Sequence, residues 1–197
     1  YDSTRVSLGL FQHDVNVIWD LAPHDFSIID YLMDAKPVAL SAHGVDHFGR
    51  GHINLAYITA YYDNNLLVHI NVNWLSPVKV RTTLIGGEKK MLVWDDLETD
   101  EKIKIYDKGV SLPTKEGQYK LMVDYRSGDM YSPRVEQTEA LKKELLYFIE
   151  CVEKKKTPIN DGRSGLRIVQ LLEMTDQSLK NNGAMVKVNE QEPISAI

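Results

Sequence analysis

One segment constrains this chain more than any other. From Leu66 to Trp74, the apolar residues Val68, Ile70, Val72 and Trp74 alternate with His69, Asn71 and Asn73. Successive side chains of a strand point to opposite faces, so this strand has one dry face and one wet face. It must lie in a sheet that is covered on a single side.

The flanking sequence supplies its neighbours. Thr4 to Leu10, Val38 to Phe48 and Ile53 to Tyr62 carry β-branched and apolar residues in strand-like alternation. Asp63-Asn64-Asn65 predicts a hairpin turn, because Asn and Asp tolerate left-handed backbone. Ser76-Pro77 predicts a break, after which Val78 to Ile85, the Gly86-Gly87 turn, Met91 to Trp94, Lys102 to Tyr106 and Tyr119 to Arg126 continue the strand pattern. Thr114 to Gly117 reads as an exposed loop.

Helical periodicity is confined to the two ends. Pro23 is suited to a first helical turn, and Phe26, Ile29, Tyr31, Leu32 and Met33 form an apolar stripe that stops before Pro37. Near the C-terminus, Leu141, Leu145, Phe148 and Val152 have the spacing of one buried stripe. Asp161 is placed to cap a last helix with Leu166, Val169, Leu172 and Leu179 on one side, and Gly183 to end it. The expected fold is therefore α+β, a mainly antiparallel open sheet with helices on one face. The opposite face is then wet or covered by another subunit.

Composition narrows the function classes. The 197 residues carry a formal net charge of -5, which disfavours nucleic acid or an anionic membrane as the main partner. The single cysteine, Cys151, fits a reducing compartment and reads as a packed thiol beside Phe148 and Val152. No apolar run approaches the roughly 18 residues of a membrane span, so a cytoplasmic protein is expected. Tyr1 opens a segment already patterned as a strand, and residues 1–197 are expected to be a single domain cut from a longer protein.

Several constellations could carry chemistry. No glycine-rich phosphate loop, GxSxG, CxxC or HExxH occurs, so the chain has no recognisable cofactor site of its own. Asp20 and His24 are one helical turn apart, and a histidine beside a carboxylate can accept a proton from an alcohol near neutral pH. The alternative is a helix start capped by Asp20 with His24 bonded locally. Lys79 and Arg81 share one strand face and offer either a solvated edge or a cationic surface for a phosphate or carboxylate. His43, His47 and His52 lie among Gly44, Gly49 and Gly51, which argues against a helical chelating pair, and no metal is expected. The acidic run Asp95 to Glu101 reads as a charged turn, and Tyr57, Tyr61 and Tyr62 as either interface or core.

Leu8 to Gln12 and Asp14 to Asp25, followed by Asn73 to Arg81, Met91 to Asp96, Tyr106 to Gly109, Glu139 to Leu141 and Asp161 to Leu166, resemble the C-terminal domain of the Gfo/Idh/MocA oxidoreductases along nearly the whole chain. The resemblance implies a substrate-binding and oligomerisation domain whose partner, an N-terminal Rossmann domain binding NAD or NADP, is absent from this sequence. It implies a sugar or nucleotide-sugar substrate, with His24 matching the family's catalytic histidine and Asp20 its partnering aspartate. It also implies a homodimer or homotetramer formed through the open sheet. The family's Glu-Lys-Pro motif does not occur here, so the chain alone is expected to bind no cofactor and to be inert, and the alternative reading is a non-catalytic self-association or partner-binding domain.

Overall fold

The computed structural model of the chain describes residues 1–9, 14–33, 35–111 and 124–188. The described residues form nine strands and three helices: β1 (Asp2–Leu8), α1 (Val17–Leu32), β2 (Pro37–Val45), β3 (Leu55–Tyr62), β4 (Leu67–Asn73), β5 (Leu75–Gly86), β6 (Met91–Asp95), β7 (Ile103–Ser111), β8 (Asp124–Tyr131), α2 (Ala140–Glu153), α3 (Gly162–Lys180) and β9 (Val186–Lys187). The strands make one open sheet in the order β8-β7-β6-β5-β1-β4-β3-β2-β9. Its only parallel pairing among these residues is β1 with β4, so the α+β, mainly antiparallel expectation holds. The expected loop at Thr114 to Gly117, and Leu10 and Tyr119 to Val123 of the expected strands, lie outside the described residues.

The sheet is covered where alternation demands it. Val68, Ile70, Val72 and Trp74 are buried, and Ala56, Ile58, Ala60 and Tyr62 of β3 and Leu40 and Ala42 of β2 join them beneath α1 and α3. His69, Asn71 and Asn73 face the uncovered side, as expected. Asn65 takes the left-handed conformation (φ 61°) in the β3–β4 turn, which an asparagine accommodates at little cost. The tyrosine cluster splits: Tyr57 lies exposed on the open face, while Tyr62 is buried under the helices.

Four local expectations are corrected. The break in the strand run falls at Trp74 rather than at Ser76-Pro77. β5 begins at Leu75 and carries both residues, and Pro77 fits because it lies in the stretch where the β1–β5 register shifts, between the Leu8–Leu75 and Val6–Val80 pairs. Helix α1 starts well before Pro23. Asn16 caps it by accepting from the N–H groups of Ile18 (2.9 Å) and Trp19 (3.1 Å), and the fully buried Val17 and Ile18 draw its first turn into the core.

The third correction concerns α3, whose buried side is Ile168, Leu172, Thr175 and Ser178, rotated from the expected stripe of Leu166, Val169, Leu172 and Leu179. Two of these are polar and pass unseen in an apolar count, but their hydrogen bonds are satisfied. Thr175 Oγ1 donates to the Leu171 carbonyl (2.7 Å). Ser178 Oγ accepts from Ala42 N on β2 (2.9 Å) and donates to the Ala184 carbonyl (2.7 Å). Asp161 caps α3 as expected, whereas its C-cap is Asn181, after which Asn182 (φ 55°) turns left-handed first and Gly183 (φ 82°) second.

The fourth is the largest. Leu141, Leu145, Phe148 and Val152 on α2 are 61%, 57%, 66% and 62% exposed, because α1 and α3 already cover the helix side of β2 to β4 and neither reaches this stripe. Cys151 is the one buried residue of α2, a packed thiol, but without the burial of Phe148 and Val152 that was expected around it.

These contrasts set a stability test. Replacing Ile70 with Ala should cost about 2–5 kcal/mol, whereas Leu145→Ala should stay within about 0.5 kcal/mol. Urea unfolding of both variants checks this, and equal losses would show that the α2 stripe is packed within the chain.

Candidate functional site

The site assembles where α1 crosses β1. Asp25 is fully buried, although aspartate is rarely so unless its oxygens have partners. One oxygen accepts from Ser3 Oγ (2.6 Å) and the other from Arg5 Nε (3.0 Å), both on β1. This pair pins the helix to the sheet. Trp74 adds a second pin, its buried indole N–H donating to Asp20 Oδ2 (2.9 Å). Tyr1 completes the floor; burial and the Asp25 charge raise its phenol to about 12, so it stays neutral.

Asp20 and His24 therefore stand one turn apart on the same side of α1, as their spacing predicts. Neither half of the alternative reading applies, since Asn16 and not Asp20 caps the helix, and His24 forms no local hydrogen bond among the described residues. No hydrogen bond joins His24 to Asp20 either, because the aspartate is turned to the indole.

The electrostatics of His24 differ from what a carboxylate neighbour alone suggests. Burial pushes the imidazole below its ordinary value, and the Arg5 cation pushes it further; Asp25 opposes them, Arg81 adds to the depression, and Asp20 opposes weakly. Desolvation and two guanidinium groups outweigh two carboxylates. His24 is thus neutral at pH 7, and the residue is exposed and makes no hydrogen bond among the described residues. A neutral imidazole is the form that accepts a proton.

Arg81 reaches the same place from β5. Arg5 and Arg81 are directly paired in the β1–β5 register, so their side chains share the helix side of the sheet. Arg81 Nη1 is 3.6 Å from Asp96 Oδ2, a long contact between two half-exposed groups. Lys79, two residues back toward the irregular stretch, is exposed. The structure brings Asp20 and Arg81 within electrostatic range of His24, whereas Lys79 is exposed on β5 with no interaction tying it to them among the described residues.

Arg5, Asp25 and Trp74 escaped the sequence reading. Asp25 had a visible signal: it falls within the spacing Ile18, Ala22, Asp25, Ile29 of the buried stripe. A charge in that position must find partners inside. Arg5 had no such signal, because its role follows from the placement of β1 beside β5.

The histidines considered for metal are separate. His47 Nδ1 lies 2.7 Å from the Asn54 amide, and His43 packs on Gly183, where an added Cβ would collide with its ring. Among the described residues no group of three or more His, Cys, Asp or Glu is arranged to hold a metal. The acidic run forms a turn in which Asp95 accepts from Leu97 N (3.0 Å) and Asp96 serves Arg81 and Lys102. Gly86-Gly87 is the bend leaving β5, not a strand–loop–helix cradle, so these residues do not fit a dinucleotide. Among the described residues no helix is long and apolar enough to cross a membrane.

Comparison with known proteins supports the resemblance read from the motifs. Residues 11–93 match the model of the GFO/IDH/MocA C-terminal domain, a span that includes Asp20, His24, Lys79 and Arg81. The fold is shared with UDP-N-acetylglucosamine 3-dehydrogenase GnnA from Acidithiobacillus ferrooxidans (TM-score 0.72, 20% identity, covering 92% of this chain and 54% of that one). It is shared also with the aldose-aldose oxidoreductase from Caulobacter crescentus (0.70, 12%, 95% and 54%). An NAD-binding protein from Listeria innocua is similar as well (0.68, 14%, 95% and 58%). The chain spans little more than half the length of these relatives. No curated protein sequence matches it.

The balance at His24 can be measured. Its NMR titration midpoint should lie below 6.5, fall further in Asp20→Asn, which removes a charge favouring the imidazolium, and rise in Arg81→Gln, which removes one opposing it. A midpoint above 6.5 in the unaltered chain would refute the assignment of burial and Arg5 as the dominant influences.

Proposed function

We propose, from the premise that this chain has the fold of a GFO/IDH/MocA C-terminal domain, that residues 1–197 are the substrate-binding and self-association domain of an NAD(P)-dependent oxidoreductase acting on a sugar or nucleotide-sugar hydroxyl. The observation that carries the reading is the neutral, exposed imidazole of His24 one helical turn from an Asp20 carboxylate held by Trp74.

Each group has a part. His24 takes the proton of the substrate hydroxyl through its free nitrogen. Asp20, fixed on one oxygen by the indole, keeps the other available to accept a hydrogen bond from a sugar hydroxyl and so orients the ring. Arg81 and Lys79 line the approach on β5. Oxidation also needs a hydride acceptor, and NAD or NADP would be held by a second, Rossmann-type domain, since the residues described here do not fit it.

Two surfaces support a larger assembly. The exposed apolar stripe of α2 is the kind of surface that another domain of a protein about twice this length would cover. On the opposite side no helix covers the sheet among the described residues, and there Tyr57 stacks on His69 (centroids 5.9 Å apart) near the exposed Leu67 and Leu84. That face suits a homodimer or homotetramer.

In the full-length protein, His24→Ala should lower the rate of NAD(P)-linked sugar oxidation by at least about 100-fold while leaving nucleotide affinity within about twofold. Unchanged turnover would defeat the assignment. Sedimentation of the 197-residue chain should give a dimer or tetramer that dissociates on dilution, and a monomer at every concentration would remove the open face from the proposal.

A further inference from the structure

Two arginines meet carboxylates of α1 differently, Arg5 from β1 and Arg167 from α3. Arg167 grips Asp30 with two nitrogens, Nε at 3.1 Å and Nη2 at 2.7 Å, the fork geometry of a closed structural pair. Arg5 meets Asp25 with Nε alone, because the second Asp25 oxygen is taken by Ser3. Its two terminal nitrogens have no side-chain partner among the described residues, although the side chain is only 13% exposed. A guanidinium held this way is rigid and still has donors to offer.

The nearest cation on the same face is Arg81, its direct partner in the β1–β5 register. Two like charges so placed repel unless an anion comes between them. Asp25 answers Arg5, but Arg81 has only the 3.6 Å contact with Asp96. Asp96 has another cation at hand, since Lys102 Nζ is 3.5 Å from its carboxylate and donates to its carbonyl at 2.6 Å. Arg81 can therefore turn to a ligand without stranding Asp96. His24 stands above the pair, within electrostatic range of both guanidiniums.

We infer that Arg5 and Arg81 form an oxyanion clamp for the substrate, with Ser3 and Asp25 as its buttress and Lys79 at its mouth. The clamp takes a phosphate or carboxylate carried by the sugar and sets which hydroxyl meets His24. This rests on the reading of His24 as the group facing that hydroxyl. The preferred substrates are then anionic sugars, either phosphorylated or nucleotide-linked ones or hexuronates. Neutral sugars offer no anion to the remaining donors of the two guanidiniums and bind more weakly.

The test is a titration of the 197-residue chain with pyrophosphate and, separately, with glucuronate, at constant ionic strength set by sodium chloride. The reporters are the NMR signals of the arginine Nε–H groups. Saturable shifts at Arg5 and Arg81 with either anion support the clamp: pyrophosphate alone assigns a phosphate, glucuronate alone a carboxylate. Arg81→Gln should weaken binding at least about tenfold, with only partial recovery in Arg81→Lys, which lacks the planar fork. Lys143→Gln on the remote α2 should leave affinity within about twofold. Arg5→Lys, which keeps a charge beside Asp25 and so protects the fold, should also weaken binding. No shift at either arginine with either anion, or affinity indifferent to Arg81→Gln, would overturn the clamp. The titration uses neither nicotinamide nor turnover. A normal titration with a fully active His24→Ala enzyme would therefore sink the role of His24 alone, and an absent titration with a dead His24→Ala enzyme would sink the clamp alone.

Discussion

The orientation of α1 depends on a single buried carboxylate. A helix lying on a sheet can roll about its axis at modest cost while apolar contacts exchange, but a fully buried Asp25 permits only the rotation that hands its oxygens to Ser3 and Arg5. Removing one partner of such a pair typically costs about 3–5 kcal/mol, because the other charge stays buried alone. Once that rotation is set, Asp20 comes to the Trp74 indole and His24 to the uncovered edge. The direction of Asp20 and His24 is thus inherited from a residue that has no exposure itself.

That carboxylate can be met only because β1 lies between β4 and β5. These two strands are consecutive in sequence, joined at Trp74, yet they do not pair; β1 runs parallel to one and antiparallel to the other. Gly9 N donates to the Trp74 carbonyl (3.1 Å) as the chain crosses the end of β1, and a Cβ at Gly9 would press to 3.0 Å from the indole. The indole that fixes Asp20 is therefore part of the same crossing that inserts β1. The site and the one parallel pairing of the sheet have a common cause.

Much of this was legible in the sequence where the rule was local. Strand patterning identified β3 and β4, period-two alternation gave the buried face of β4, and Asp63-Asn64-Asn65 marked their turn, because each depends only on neighbouring residues. The Asp20–His24 spacing was legible for the same reason. What escaped depended on distant chain. The apolar spacing on α2 was real, but an amphipathic stripe says nothing of what covers it. The buried face of α3 includes Thr175 and Ser178, whose burial rests on partners such as Ala42 that only the fold supplies. Likewise the carboxylates near His24 could be read from spacing, whereas the opposing Arg5, more than sixty residues from its β4 and β5 neighbours, could not.

The sheet is covered unevenly, and this decides where chemistry can occur. α1 and α3 pack on β2, β3, β4 and β9, and the core lies beneath them. From β5 outward the same side of the sheet carries no packed helix among the described residues. The flank of α1 therefore stands as a wall above an open floor of β1 and β5, with His24 on the wall and Arg81 on the floor. A polar reactant can approach this step without displacing core, since Asp25 and the residues behind it remain packed. Such a step is only half a cleft. Water has free access to it, which weakens every charge–charge interaction across it, and a body seated over the bare half of the sheet would strengthen them by excluding that water. The arrangement is therefore suited to a group that binds substrate and handles a proton while a neighbouring domain completes the enclosure.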